Sequence, residues 1–318
     1  MSFSYHTATS HDDALTALSE PGTHVVAGGT DLVPCVDEGI YAPIRVVDVR
    51  GLPGMRDITL HADGSATIGA AVTINEIAEH AGLRERFPML CDAAHAVGTP
   101  ALRNMGTLGG NLIQRHNCWY FRRGVECFKR GGTQCAAVDG EHQYHGIVND
   151  GTCRAAHPSD PAVALEALGA EIEIARANSK PRRVGIAELY VGAANDAEKD
   201  AQIVQGELVV AVHLPSESAG GTQSWEKVMQ RGAWDYALVS CAAQRRTDGT
   251  VRIALGGVAL GPWRISDRVE EDISAGGLDE DSIGALAERA VYDVEPLANN
   301  AYKVELAEAV LRRAMRAI

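Results

Sequence analysis

Two short stretches decide how this chain is to be read: "AGGTDL" (Ala27–Leu32), which follows the β-branched run "THVV" (Thr23–Val26), and "GTLGGNL" (Gly106–Leu112). Each sets a threonine beside paired glycines. Glycine lets backbone N–H groups approach phosphate oxygens closely, and the threonine adds a hydroxyl donor. One such stretch is equally well a plain turn; two of them, far apart in the chain, favour a dinucleotide over either alone. Neither matches G-x-G-x-x-G or the P-loop lysine pattern, so the Rossmann and NTPase fingerprints are absent. "HPSD" (His157–Asp160) is a third polar turn, in which Ser159 can cap the next helix and Asp160 can bond a ribityl or ribose hydroxyl.

Outward from these turns the chain alternates strands and helices. "SHDDALTALSE" reads as a helix with an Asp-capped start, "IRVVDVR" as a strand, and "SATIGAAVTINEIAEHAGL" as a strand entering a helix. A helix is expected over Met89–Val97, then a glycine-broken stretch through "LRNMGTLGGNLIQ". "PSDPAVALEALGAEIEIA" is a capped helix running into a strand, and "ELVVAVHLP" is a further strand. The Gly/Ser-rich "SESAGGTQ" marks a domain boundary. Beyond it two strands, "ALVSCAAQRR" and "TVRIALGGVAL", and two amphipathic helices make an α+β domain that packs as a cap.

With 318 residues the chain is long enough for two or three domains. A formal net charge of -13 argues against a nucleic-acid partner. No apolar run reaches membrane-span length and no leader is evident, so the expected compartment is cytoplasmic. Seven cysteines without a leader also argue against a secreted disulfide scaffold.

Four of those seven, Cys118, Cys127, Cys135 and Cys153, fall in one long polar segment with spacings of x8, x7 and x17. Arg115, Arg122, Arg123, Lys129 and Arg130 surround its first half. These spacings match neither zinc ribbons nor common ferredoxins, and the residues alone leave zinc open, with His116, His142, His145 and His157 as possible substitute ligands. Cys35, Cys91 and Cys241 lie in apolar contexts and read as buried, unligated thiols.

Taken in order, "AGGTDL", "RNMGTLGGNL", "HPSD" and "KVMQRGAWDYALVS" resemble the FAD-binding subunit of the molybdenum hydroxylases, the group of xanthine dehydrogenase and carbon monoxide dehydrogenase. The likeness runs on through "GELVVAVHLP" and "GGVALGPWR" and covers essentially the whole chain. It implies an α+β fold of PCMH/VAO-like type: an FAD-binding domain over 1–215 in two subdomains (about 1–58 and 59–215), and a C-terminal α+β domain over 222–318. Carried over by position, Ala27, Gly28, Gly29, Thr30, Asp31 and Leu32 would hold the pyrophosphate and ribityl region. Thr107, Gly109, Gly110 and Asn111 would form the second FAD loop, Ser159 and Asp160 would contact the cofactor, and Lys227 would lie near the isoalloxazine. A cation there would stabilise reduced flavin, whereas charge patterning alone allows a solvated strand lysine.

The cysteine segment, an insertion over 115–155, resembles a subset of the family that includes the 4-hydroxybenzoyl-CoA reductase β subunit and periplasmic aldehyde oxidoreductase flavin subunits. That resemblance implies a [4Fe–4S] cluster on Cys118, Cys127, Cys135 and Cys153. It also implies partner subunits carrying the molybdenum cofactor and [2Fe–2S] clusters, an external redox partner, and possible export with a partner subunit to the periplasm. No nucleophile–base constellation is evident, so no catalytic residue is assigned. A self-contained flavin oxidase or dehydrogenase, or a non-catalytic subunit with a structural zinc loop, are the alternatives.

Overall fold

The computed structural model describes residues 3–149, 153–195, 198–276 and 279–318, with the side chains of 191–195 left out. Residues 150–152 of the cysteine segment therefore lie outside the described residues. Three sheets organise the rest. The first is parallel, with β3 (Arg45–Asp48) between β1 (Ser4–Thr7) and β2 (Thr23–Val26). The helix His11–Leu18 crosses between β1 and β2. Its cap is Ser10, whose hydroxyl accepts from Asp13 N–H at 3.1 Å, not one of the aspartates expected from the sequence. Those aspartates occupy the first turn, where their charge complements the helix dipole.

The second sheet is antiparallel, in the order β4 (Ile58–Leu60), β5 (Ala66–Gly69), β8 (Glu207–Leu214), β6 (Glu171–Arg176), β7 (Arg182–Gly185). Its buried side chains share a cluster with those of the helices Ile74–Glu79, Pro88–His95 and Asp160–Leu168. Together with the first sheet they form one core, with Ile68, Ile77, Leu90, Leu165 and Val212 fully buried. The helix Asp160–Leu168 is buried along its whole length, as its near-continuous apolar sequence requires.

The third sheet, antiparallel in the order β12 (Trp263–Arg264), β11 (Val251–Gly256), β10 (Val239–Arg245), β9 (Thr222–Val228), belongs to the C-terminal part. Three helices, Asp267–Ser274, Glu280–Ala290 and Tyr302–Ala317, cover one face and close a second core around Leu255, Val310 and Leu311. Two strands and one helix more than the sequence suggested are present. β9 mixes Gln223, Glu226 and Lys227 with Trp225 and Val228 and so carries no apolar run, while β12 is only two residues long. Part of "SESAGGTQ" is itself ordered, with Thr222 opening β9. No described helix is long and apolar enough to cross a membrane.

The cysteine segment forms a lobe that is bonded to both halves. Among its described residues, regular structure is limited to the turns Trp119–Arg122 and Phe128–Arg130. On the C-terminal side, Ile147 and Val148 N–H donate to Val258 O at 2.8 and 3.0 Å. Asn300 Nδ2 donates to His145 O and Gly146 O at 3.2 and 3.1 Å. The fully buried Lys303 donates through Nζ to Gly257 O at 2.6 Å, His145 O at 3.0 Å and Tyr144 O at 3.3 Å.

Burial pulls the Lys303 ammonium down to about 7, against three carbonyl oxygens that favour the charged form. Lys303→Met would keep the stem and leave those carbonyls without this donor. We expect a loss of about 3 kcal/mol in urea denaturation, because unsatisfied buried acceptors cost their full desolvation.

Candidate functional site

The first glycine stretch leaves the end of β2 and turns at Gly29, whose φ of +73° suits glycine. Gly28 has a different task. A Cβ there would stand 1.8 Å from Met105 O, so its missing side chain lets the two glycine stretches touch. The second stretch is the opening turn of a short helix, Leu108–Leu112, more ordered than a glycine-broken loop. Thr107 caps it, its hydroxyl accepting from Gly110 N–H at 3.3 Å. Gly109 packs on Ala70, where a Cβ would come within 2.9 Å. Gly110 is exposed, and a Cβ there would meet only Thr107 Oγ1, at 3.1 Å.

These stretches share one crevice. Its larger part, about 350 Å³, is lined by all of Ala27–Leu32 with Thr107, Gly109 and Gly110 from the second stretch and Gln205–Val209 leading into β8. A second part, about 300 Å³, shares Thr30, Asp31, Thr107 and Gly110 with the first and adds Asn111 and Asp160. Ser159 does what either reading required of a cap: its hydroxyl accepts from Ala162 N–H at 3.1 Å. It also donates to Asn111 Oδ1 at 2.5 Å, tying the third turn to the second.

Lys227 is a buried lysine, not a solvated one. Its Nζ donates to Asp160 Oδ2 at 2.7 Å, Ala96 O at 2.9 Å and Asp235 O at 3.1 Å. It stands behind Asp160 and outside the residues lining the crevice. Burial pushes Asp160 up to about 6 while the Lys227 ammonium opposes it. Asp31 is likewise engaged, accepting from Arg115 N–H at 2.9 Å and from Arg122 Nη2 at 2.8 Å. Those contacts bind the first stretch to the cysteine lobe.

Residues of the β9–β10 connection also enter the crevice: Arg231, Trp234, Asp235 and Tyr236. Trp234 holds a left-handed φ of 52°, uncommon for a bulky residue, and Arg231 lies over its ring, 5.7 Å from the centroid. Periodicity gave no signal for them. The aromatic pair in "GAWDY" between two strands was the available clue.

Cys118, Cys127, Cys135 and Cys153 all line one small cavity, with Phe121, Lys129 and His145 among its other walls. None is disulfide-bonded, and among the described residues no three His, Cys, Asp or Glu side chains converge closely enough to hold a single metal ion. Burial pushes Cys153 up to about 12 and raises Cys118. Of the four histidines considered as ligands, His145 borders this cavity, its Nε2 3.3 Å from Cys118 Sγ. His142 donates to Ala137 O and accepts from Asn299 N–H, and His116 contacts Asp200 and Leu260 O. His157 stacks on Tyr190 with ring centroids 4.5 Å apart. Cys35, Cys91 and Cys241 are fully buried, as expected.

Behind the lobe, Asp200 collects Arg115 Nε and His116 Nδ1, both at 2.5 Å, together with Lys129 Nζ. Burial works against its ionisation, but His116, Lys129 and Arg115 outweigh it and hold the carboxyl well below the usual range. Asp200 sits in the polar "NDAEKDAQ", which offers no sequence signal. Asp200→Ala would leave buried cations uncompensated. We expect about 3–5 kcal/mol of destabilisation by urea titration, with Asp200→Asn intermediate.

Residues 1–217 match the FAD binding domain in molybdopterin dehydrogenase, and residues 226–318 match the CO dehydrogenase flavoprotein C-terminal domain. The aldehyde oxidoreductase FAD-binding subunit PaoB of Escherichia coli (strain K12) is 36% identical over 311 residues, covering 95% of this chain and 93% of that protein. The carbon monoxide dehydrogenase medium chain of Hydrogenophaga pseudoflava is 24% identical over 326 residues, covering 99% and 96%. Among solved structures, quinoline 2-oxidoreductase from Pseudomonas putida 86 superposes with a TM-score of 0.76 at 23% identity, over 100% of this chain and 97% of that one, which shows the shared fold. With both domain models matched in order and a relative aligned along nearly its full length, the chain belongs to the FAD-binding medium subunits of the molybdenum hydroxylase, or xanthine dehydrogenase, family of oxidoreductases.

Proposed function

We propose that the chain is the FAD- and [4Fe–4S]-carrying electron-transfer subunit of a heteromeric molybdenum hydroxylase. In this reading it exchanges electrons between molybdenum and [2Fe–2S] subunits and an external redox partner. One observation carries it: three turns distant in sequence line a single crevice, while the four thiols, distant from one another in sequence, line one small cavity. The crevice fits a dinucleotide because Gly110 leaves its wall open where a side chain would intrude. The thiol cavity fits a cluster by donor chemistry, since four cysteines satisfy a cubane and Lys129 lies in the same wall.

FAD and the cluster would supply the electron-transfer chemistry that amino-acid side chains lack. The chain's own residues bind and orient. The glycine stretches would present backbone N–H groups and Thr30 to the pyrophosphate. Asn111, held by Ser159, and Asp160, held by Lys227, would set the polar edge of the site. Tyr236 and Trp234 would cover it. The thiols of Cys118, Cys127, Cys135 and Cys153 would be the metal ligands, and the lobe would fix their distance from the crevice.

The test is anaerobic purification of the native complex, with identification of its chains and assay of flavin, iron and acid-labile sulfide. Partner subunits, one acid-releasable FAD, and iron with sulfide on this chain are the expected result. Zinc without iron would leave a structural metal loop, and robust substrate turnover by the isolated chain would point to a self-contained flavin enzyme.

A further inference from the structure

Arg122 of the cysteine lobe borders neither the thiol cavity nor either part of the crevice. Its largely buried guanidinium instead joins the lobe to the first glycine stretch. Nη2 donates to Asp31 Oδ1 at 2.8 Å, and Nη1 to Cys35 Sγ at 3.0 Å and Glu38 Oε2 at 3.2 Å. Asp31 ends the turn of that stretch and caps the helix Leu32–Asp37, which holds Cys35 and is followed by Glu38. On the lobe side, Nε and Nη2 donate to His116 O and Arg115 O at 3.0 and 2.9 Å. Lys129 does the same for another part of the crevice wall. Its Nζ donates to Asp200 Oδ1 and, at 3.1 Å, to Lys199 O, and both of those residues line the crevice.

Each of these cations is placed by a cysteine. Cys118 caps the turn Trp119–Arg122, its carbonyl accepting from Arg122 N–H at 2.9 Å. Cys127 caps the turn Phe128–Arg130, which carries Lys129. Turns this short have little stability of their own. Whatever fixes the two cysteines therefore fixes where the two cations reach.

We propose that Arg122 and Lys129 are positioning residues for the flavin crevice, and that through them a cluster on the thiols and FAD in the crevice bind with positive linkage. The linkage rests on the FAD and cluster reading above. It is reciprocal: the factor by which the cluster tightens FAD is the factor by which FAD tightens the cluster. The effect is partial, because the glycine stretches keep their own contact through Gly28 and Met105.

The test removes FAD from the purified complex and titrates it back, with this chain's cluster followed by low-temperature EPR. Cys135→Ser should weaken FAD about tenfold, within the usual range for coupled sites. Arg122→Leu should weaken it about as much with the cluster retained, and Arg122→Lys should recover part of the loss. The double variant Arg122→Leu/Cys135→Ser should fall short of the product of the two effects, since both release the same contact. In the wild type, bound FAD should slow the loss of the cluster signal to an iron chelator, a measurement that needs no variant. Equal FAD affinity with and without the cluster, or effects that multiply as independent changes, overturns the proposal. Loss of the cluster in Arg122→Leu would make that residue a mere support of the lobe and also overturns it. A wild-type complex without flavin, or without iron on this chain, overturns the electron-transfer reading itself.

Discussion

A Gly110→Val chain should fold normally and emerge from purification without flavin. Gly110 faces open crevice, and a Cβ there meets only the Thr107 hydroxyl. The two γ-methyls of valine would project into the space that the cofactor backbone needs. The fold has less at stake, because the helix Leu108–Leu112 keeps its packing through Leu108, Gly109 and Leu112, and only the Thr107 cap must give by a few tenths of an ångström. The expected loss of FAD affinity is at least about a hundredfold, or roughly 3 kcal/mol. The measurement is the ratio of flavin to protein absorbance, beside a thermal melt. Gly28→Ala is the contrast: its Cβ would collide with the Met105 carbonyl, so flavin and melting temperature should fall together. Full flavin occupancy in Gly110→Val would remove this stretch from the binding site.

That contrast also separates what the sequence could and could not disclose. Both glycine stretches were legible, but not their division of labour. Gly28 and Gly109 serve close packing and Gly110 leaves room, a distinction that depends on Met105 and Ala70 being opposite them. The β-branched runs of β2, β3, β10 and β11 announced themselves by local composition. β9 did not, because one of its polar residues, Lys227, finds its partner Asp160 far away in sequence. The cap on Asp160–Leu168 was legible from Ser159, since capping is local, while the second bond of that hydroxyl to Asn111 is not.

The bonding of the lobe to both halves was hidden for the same reason. Asn300 with Lys303, and Asp200, hold it from two distant points of the chain, each through groups whose meaning appears only on folding.

Cys135→Ser should abolish the iron bound to this chain and loosen the lobe selectively. The described part of this segment has little apolar surface of its own. Cys153 and Ala155, with Cys118 against them, close only on Leu260 of the C-terminal half, and Phe121 is its one large buried ring. If four thiolates hold a cluster there, metal–sulfur bonds supply much of the order, and removing one ligand forfeits most of that free energy. The ends of the lobe are fixed independently, by Asp200 on one side and by Lys303 and Asn300 on the other. Disorder should therefore stay within the segment from about Asn117 to Arg154 and spare both cores. Limited proteolysis should cut inside the segment in Cys135→Ser and leave wild type intact, and low-temperature EPR of the reduced protein should lose its cluster signal. Flavin should persist at least in part, because the crevice packs through Ser159, Asn111 and the glycine contacts, none of which involves a thiol. Normal iron with an unchanged signal would remove Cys135 from the ligand set. Loss of iron without any gain in protease sensitivity would mean that the anchors at Asp200 and Lys303, and not the metal, hold the lobe in place.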